Sequence, residues 1–351
     1  MNSTSIEWTD FSANLLKYRN AKTGKIVWHC EKVSPGCAHC YAESMATRFG
    51  GGPFNAKVTP GVRPFFDEEE ARKILRSKKI AGKRIFVDDM TDWMGDWVSD
   101  DIIAQHLALF ALRPDVTFQL LTKRADRLRR FVGAPNAQEC VDHVAFHLSH
   151  ESMHSGMYDA VPDVWPLPNV WLGVSCEDQK RADERIPLLL QTPAAVRFLS
   201  VEPMLGPVDL QGRLVEWHRD GSTFFSPVPH STPKRLFDWL ICGGESGGNS
   251  RPFNLAWARS LRDQCAAAGV PFFFKQAGSN PQIEDLLTPI STVDIACIPP
   301  GDDPAEKIDS SGNGVIRTRQ LLRLRDRKGG DLSEIPEDLR IREMPQKEIA
   351  K

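Results

Sequence analysis

Three of the eight cysteines fall within eleven residues, in the run His29-Cys30-Glu31-Lys32-Val33-Ser34-Pro35-Gly36-Cys37-Ala38-His39-Cys40-Tyr41. Thiolates are the ligands of soft metal centres, and two cysteines two residues apart reach one metal or cluster from a single turn. Ser34-Pro35-Gly36 is turn-forming and folds the loop back, so that Cys30 reaches the same centre as Cys37 and Cys40. Tetrahedral zinc needs four donors, and no second Cys-x-x-Cys pair or His-x3-His unit follows at zinc-finger distance. Zinc would therefore need His29, His39 or a distant ligand. Three thiolates match a 4Fe-4S cluster with one iron left open to another ligand. The remaining arrangement, a disulfide with a spare thiol, needs an oxidising compartment that nothing else in the chain suggests.

The rest of the chain is ordinary enough to serve as scaffold. Its 351 residues are 41% hydrophobic and 26% charged, with a formal net charge of -2, values that exclude a chain-wide polyanion-binding or membrane-coating character. A chain of this length buries about three quarters of its unfolded surface, so it needs no metal merely to fold. No basic segment followed by an apolar one opens the sequence, and no run of 18 apolar residues occurs. A cytoplasmic protein with reduced cysteines and no membrane contact is expected. Cys140, Cys176, Cys242, Cys265 and Cys297 are scattered singly and read as small buried hydrophobes.

Six runs read as buried strands, at 83–87, 116–121, 169–174, 196–201, 237–242 and 270–274, and a seventh at 25–28 delivers the chain into Cys30. Helical segments are expected at 42–49, 68–79, 100–112 (with Asp100 as cap), 182–190 and 256–268. Continuous apolar strands alternating with amphipathic helices specify a parallel sheet covered by helices. The expected fold is α/β, a parallel (β/α) barrel or partial TIM-like barrel of about six to seven strands. Each run ends in polar residues: Asp88-Asp89, Thr122-Lys123-Arg124, Ser175-Cys176-Glu177, Glu202, Gly243-Gly244-Glu245 and Lys275-Gln276. Such strand ends are where a barrel builds its active site, and Lys123, Glu202 and Lys275 are the candidate catalytic residues. The barrel is expected over 1–277 with insertions near 133–168 and 212–236, followed by a C-terminal extension over 278–351. His143, His147, His150 and His154 share one face of a helix over 141–154, more often a solvated or packing face than a metal site. In the extension, Arg317, Arg319, Arg323, Arg325, Arg327 and Lys328 read as a solvated helix face. Lys123, Arg124, Arg127, Arg129 and Arg130 form a second basic cluster nearer the rim.

On Ile6-Glu7-Trp8-Thr9-Asp10, the run from Lys32 to Glu43, Leu121-Thr122-Lys123-Arg124, Val170 to Ser175, Phe198 to Pro203, Gly243 to Gly247 and Phe272 to Gln276, the chain resembles the phage-associated three-cysteine-motif proteins, a group related in sequence to radical S-adenosylmethionine enzymes. The resemblance implies a radical-enzyme barrel with the cluster on Cys30, Cys37 and Cys40, in the loop after the first strand. Its cofactors would be a 4Fe-4S cluster and S-adenosylmethionine, cleaved to a 5′-deoxyadenosyl radical that abstracts hydrogen from substrate. By position, His39 stands where an aromatic touches the adenine, Tyr41 matches an aromatic after the third cysteine, and Ser175 and Glu177 stand where relatives contact ribose or carboxylate. The Gly-Gly-Glu motif of such enzymes follows the second strand and holds the cofactor's amino group. Here the second strand ends in Asp88, and Gly243, Gly244 and Glu245 come near the sixth. Six residues separate Cys30 from Cys37, where the usual spacing is three. A nucleic acid or nucleotide-derived substrate is expected from the two basic clusters and the phage setting. A reductant is required, and a partner protein is compatible with the reading. The alternative is a non-catalytic iron-sulfur or zinc module that senses redox state or binds nucleic acid, which would not need polar residues at every strand end.

Overall fold

Strands that are apolar at every position must be covered on both faces, and the two coverings here differ. A computed structural model describes residues 1–151, 161–210, 212–219, 222–224, 232–289, 315–322 and 324–345. Its centre is an eight-stranded sheet of β1 (Asn2–Ser3), β2 (Phe11–Ala13), β3 (Arg84–Val87), β4 (Thr117–Thr122), β5 (Val170–Ser175), β6 (Val196–Val201), β7 (Trp239–Gly243) and β8 (Phe272–Gln276), adjacent in that order. All neighbours from β2 to β8 are parallel, and β1 alone pairs antiparallel, with β2. The sheet does not close: β1 and β8 are its two edges.

Six of the expected strands lie in this sheet. The seventh does not, because Ile26–Val27 pairs instead with Leu16–Asn20, which also pairs with Val62–Phe66 in a small antiparallel sheet. The short strand β2 takes the place beside β3. The helices are α1 (Tyr41–Arg48), α2 (Glu68–Arg76), α3 (Asp100–Ala111), α4 (Ala125–Val132), α5 (Ala137–Glu151), α6 (Gln179–Leu190) and α7 (Leu255–Ala268). Ser99, not Asp100, caps α3, its side chain accepting from the Ile102 amide. Asp67, Asp178 and Asn254 cap α2, α6 and α7 in the same way.

Alternation along the strands sorts their side chains to two faces. Ile85, Val87, Phe118, Leu120, Leu172, Val174, Leu199, Val201, Leu240, Phe272 and Phe274 share one core with the helices. Phe86, Trp171, Phe198, Trp239, Ile241 and Phe273 form a second core on the opposite face around Trp8. The Trp8 ring lies 4.6 Å from Phe86 on β3 and 5.9 Å from Trp239 on β7. Four strand spacings of a flat sheet span about 19 Å, too far for one indole to touch both. The sheet is therefore curled into a trough, with Trp8 lying in it.

The insertion after α4 carries α5, which packs on α3. The second insertion is a three-stranded antiparallel sheet of Val215–Arg219, Ser222–Phe224 and Thr232–Arg235. After residue 278, Pro281–Pro289 pairs antiparallel with Val315–Leu321. Arg317 and Arg319 thus lie on a strand rather than on the expected helix, and Arg323 lies outside the described residues. The chain then returns to β8: the Phe274 amide donates to Ile341 O at 2.7 Å, the Glu343 amide to Phe272 O at 3.1 Å, and Trp239 Nε1 to Glu343 O at 2.9 Å. Among the described residues no helix is long and apolar enough to cross a membrane.

Candidate functional site

Above the aromatic base, the same alternation turns polar at the carboxyl ends of the strands. Lys123 Nζ donates to Ser175 Oγ at 3.3 Å, between β4 and β5. Lys275 Nζ donates to Glu202 Oε1 at 2.6 Å, between β8 and the end of β6. Gly243 stands between these last two, where a Cβ would meet the Glu202 carboxyl carbon at 3.5 Å. Two cations, a carboxylate and a hydroxyl thus line the floor of the rim.

The cysteine loop is fastened across this rim at three points. The Gly36 amide donates to Glu177 Oε1 at 3.1 Å, and the other Glu177 oxygen accepts from Arg185 at 2.9 Å. Arg251 Nη1 donates to Pro35 O at 3.0 Å. The same guanidinium grips Glu245 through both Nε and Nη2, at 3.0 and 2.6 Å, while His39 Nδ1 meets Glu245 Oε2 at 3.0 Å. Burial pushes the Glu245 carboxyl up, but Arg251 and His39 outweigh it and hold the group down at about 2. Glu177 is likewise lowered, burial being overcome chiefly by Arg185. A Cβ on Gly36 would sit 3.1 Å from the Glu177 carboxylate, which is why the turn needs glycine here.

The entry to the loop is fixed separately. Asp92 accepts from Thr122 Oγ1 at 2.6 Å, from the Lys123 amide at 3.0 Å and from Arg124 Nη1 at 3.0 Å. Arg124 stacks 4.6 Å over the Trp97 ring and donates to Glu31 O at 3.4 Å. Burial, seconded by the negative charge of Asp92, pushes the neighbouring Cys30 thiol up to about 12. Tyr41 at the start of α1 donates to Asp89 O at 2.6 Å, tying the exit of the loop to the end of β3.

Residues 3–330 match the model of one family throughout. The chain belongs to the family described as protein of unknown function (DUF5131). No curated protein and no solved structure matches it.

In this DUF5131 chain the rim gathers Lys123, Ser175, Glu177, Glu202, Gly243, Glu245 and Lys275 beside Cys37, His39 and Tyr41 through the contacts above. Gly244 is engaged by backbone, its N–H donating to Gln276 O at 2.9 Å and its carbonyl accepting from Gln276 Nε2 at 3.0 Å; a Cβ there would strike Ala277 O at 2.3 Å. Asp88 is not brought to the rim. Its backbone turns at φ 58, and its buried carboxylate faces the helices, accepting from the Leu15 and Leu16 amides at 2.8 and 2.9 Å and meeting His106 Nε2 at 2.9 Å. His29 is a packed core histidine: Nε2 meets Thr59 Oγ1 at 2.9 Å, and burial lowers its pKa to about 4.

The donor chemistry at the loop suits a soft metal centre. Cys30, Cys37 and Cys40 are free thiols, partly accessible, as are the other described cysteines in having no disulfide partner. Among the described residues, no three His, Cys, Asp or Glu side chains converge closely enough to hold a metal ion. That holds for α5 too, where His143 and His147 stack edge to face at 4.7 Å and His150 Nδ1 meets Phe146 O at 2.8 Å; His154 lies outside the described residues. A shallow groove of about 550 Å³ on α5, lined by Gln138, Glu139, Asp142, His143 and Phe146, includes no rim residue. Arg251, Arg185 and Asp92, which hold the loop in place, carry no motif that sequence reasoning detects. Arg124 was visible only as part of a basic cluster.

Proposed function

We propose that this protein is an iron-sulfur enzyme of the radical S-adenosylmethionine type acting on a nucleic acid or nucleotide-derived substrate, with Cys30, Cys37 and Cys40 as the residues that would hold a 4Fe-4S cluster. The observation that carries the reading is placement: the loop bearing these thiols is pinned by Glu177, Arg251 and Glu245 over a floor of Lys123, Ser175, Glu202 and Lys275. A redox sensor needs a cluster but not a lined floor beneath it. The curled sheet is then read as a partial barrel, and the resemblance to three-cysteine-motif proteins points the same way. When bound, cluster and S-adenosylmethionine together supply a 5′-deoxyadenosyl radical for hydrogen abstraction.

The chain's own groups would bind and orient. Lys123 and Lys275 present ammonium groups suited to a carboxylate or phosphate, and Glu202 a carboxylate suited to an ammonium or hydroxyl. The Trp171, Phe198, Trp239 and Phe273 base keeps water from entering below.

Anaerobic reconstitution with iron and sulfide, reduction in the presence of S-adenosylmethionine and assay for 5′-deoxyadenosine tests this. Product that disappears in Cys37→Ala is the expected result. A cluster without cleavage would favour the redox module instead, and stoichiometric zinc with no cluster would replace the iron-sulfur reading altogether.

A further inference from the structure

Five of the seven exposed large hydrophobic side chains among the described residues, Ile26, Val33, Tyr41, Met45 and Phe49, belong to the cysteine loop and the elements flanking it. Tyr41, Met45 and Phe49 recur every fourth residue on α1 at 53, 43 and 65% exposure, whereas Ala42 and Ala46 on its other face are buried. They therefore form one outward stripe, about one turn or 6 Å between neighbours. Phe49 lies 6.3 Å from the Trp28 ring, edge to face. Trp28 follows Ile26–Val27, which leads onto the small antiparallel sheet.

On that sheet, Arg19 stands opposite both Ile26 and Arg63, and Lys17 opposite Phe65. Their neighbours Tyr18 and Val27 are buried on the far face, so this cross-strand row faces solvent. The Arg19 guanidinium sits 5.4 Å over the Phe65 ring. Between residues 11 and 66 the chain carries eight Lys or Arg against two Glu and no Asp, in a protein whose total is -2. Lys22, Lys25, Arg48, Lys57 and Arg63 are exposed, with no carboxylate partner among the described residues. At its inner end the stripe meets the rim, where Tyr41 is bonded to Asp89.

We infer that this face binds single-stranded nucleic acid, its phosphates on the Arg19 and Arg63 row and its bases stacked on Phe49 and Tyr41, running toward the cysteine loop. A positive track interleaved with aromatic rings is the arrangement that takes up unpaired strands, since stacking needs base faces that a duplex conceals. The charge complementarity selects a polyanion over a second copy of this chain, whose own lobe would repel it. The inference extends the nucleic-acid reading above, but it does not depend on a cluster.

Fluorescence anisotropy of the full chain, with neither iron nor S-adenosylmethionine added, is measured against a fluorescein-labelled single strand of about 20 nucleotides, as DNA and as RNA, and against the matching duplex. Single strands are expected to bind at least about tenfold more tightly than duplex, and Phe49→Ala to weaken binding by about tenfold. A Lys25→Ala, Arg63→Ala double variant should make the dependence on salt shallower by about two ions released. Arg325→Ala, in the separate C-terminal basic run, and Cys37→Ala should bind as the parent. Circular dichroism checks that each variant is folded, which the exposure of the substituted side chains favours. Equal affinity for duplex, or indifference to Phe49→Ala and the double variant, overturns the inference. A dimer in size-exclusion chromatography that Phe49→Ala dissolves would overturn it in favour of a second copy. Deoxyadenosine formation, assayed without oligonucleotide, reports on the cluster separately.

Discussion

Glu245 is the residue at which the cysteine loop and the end of β7 are joined, since Arg251 and His39 both close on its carboxylate. Its pKa of about 2 against an ordinary 4.5 means the folded state holds the charged form more tightly than the unfolded chain does. The stabilisation is complete above pH 4.5 and fades as pH falls toward 2. Glu245→Gln should therefore melt below the parent at neutral pH, with the gap constant above pH 4.5 and closing toward pH 2. A gap that widens on acidification would contradict the sign. In the same variant the loop loses its tie to His39, so iron retention after reconstitution should fall while the fold persists. At this scale much was legible: Cys30, Cys37, Cys40, Lys123, Glu202, Glu245 and Lys275 announce themselves by type and by position at strand ends. Asp88 shows the limit, because φ 58 reverses its side chain away from the rim and no pattern of polarity reports a backbone reversal.

Among the elements, the strands were legible because an apolar run bounded by polar residues has one reading in an α/β chain. Which residues face the trough was not, and Gly173 on β5 makes the point. A Cβ there would lie 2.5 Å from the Phe198 ring, so the glycine exists to let Phe198 fill the trough across β5. Gly173→Ala should cost about 1–3 kcal/mol in urea denaturation, as overpacking does. Adding Phe198→Leu should recover part of that cost, and a double-mutant cycle showing no coupling would refute the contact as its cause. The Ile26–Val27 segment was misplaced for a related reason. Two apolar residues fit a parallel sheet or an antiparallel one equally well, and only the partners Leu16–Asn20 and Val62–Phe66 decide between them.

For the whole molecule, the open sheet is completed by both ends of the chain. Trp8 sits in the trough, and residues 341–344 cover the edge of β8 through main-chain bonds and through Glu343 O to Trp239. Met344 and Ile6 pack on the same aromatic core. An uncovered edge strand is a template for aggregation. Ending the chain after Glu334 should thus lower the melting temperature by several degrees or more and raise light scattering on heating, with the loss of Trp239 burial seen as a fluorescence red shift. A truncated chain that melts as the parent would show the return strand to be dispensable.

The sequence by itself determined the donor set, the α/β class and the polar strand ends, because these depend on residue type and on spacing along one segment. Only the tertiary structure decided which partners hold the loop and how far the sheet curls. Arg251 meets Pro35 across 216 residues, Gly36 meets Glu177 across 141, and Trp8 bridges strands that are four apart in the sheet. Contacts at that separation leave no local periodicity, since neither partner constrains the residues next to the other in the chain; they exist only once the parallel strands have brought their carboxyl ends to one rim.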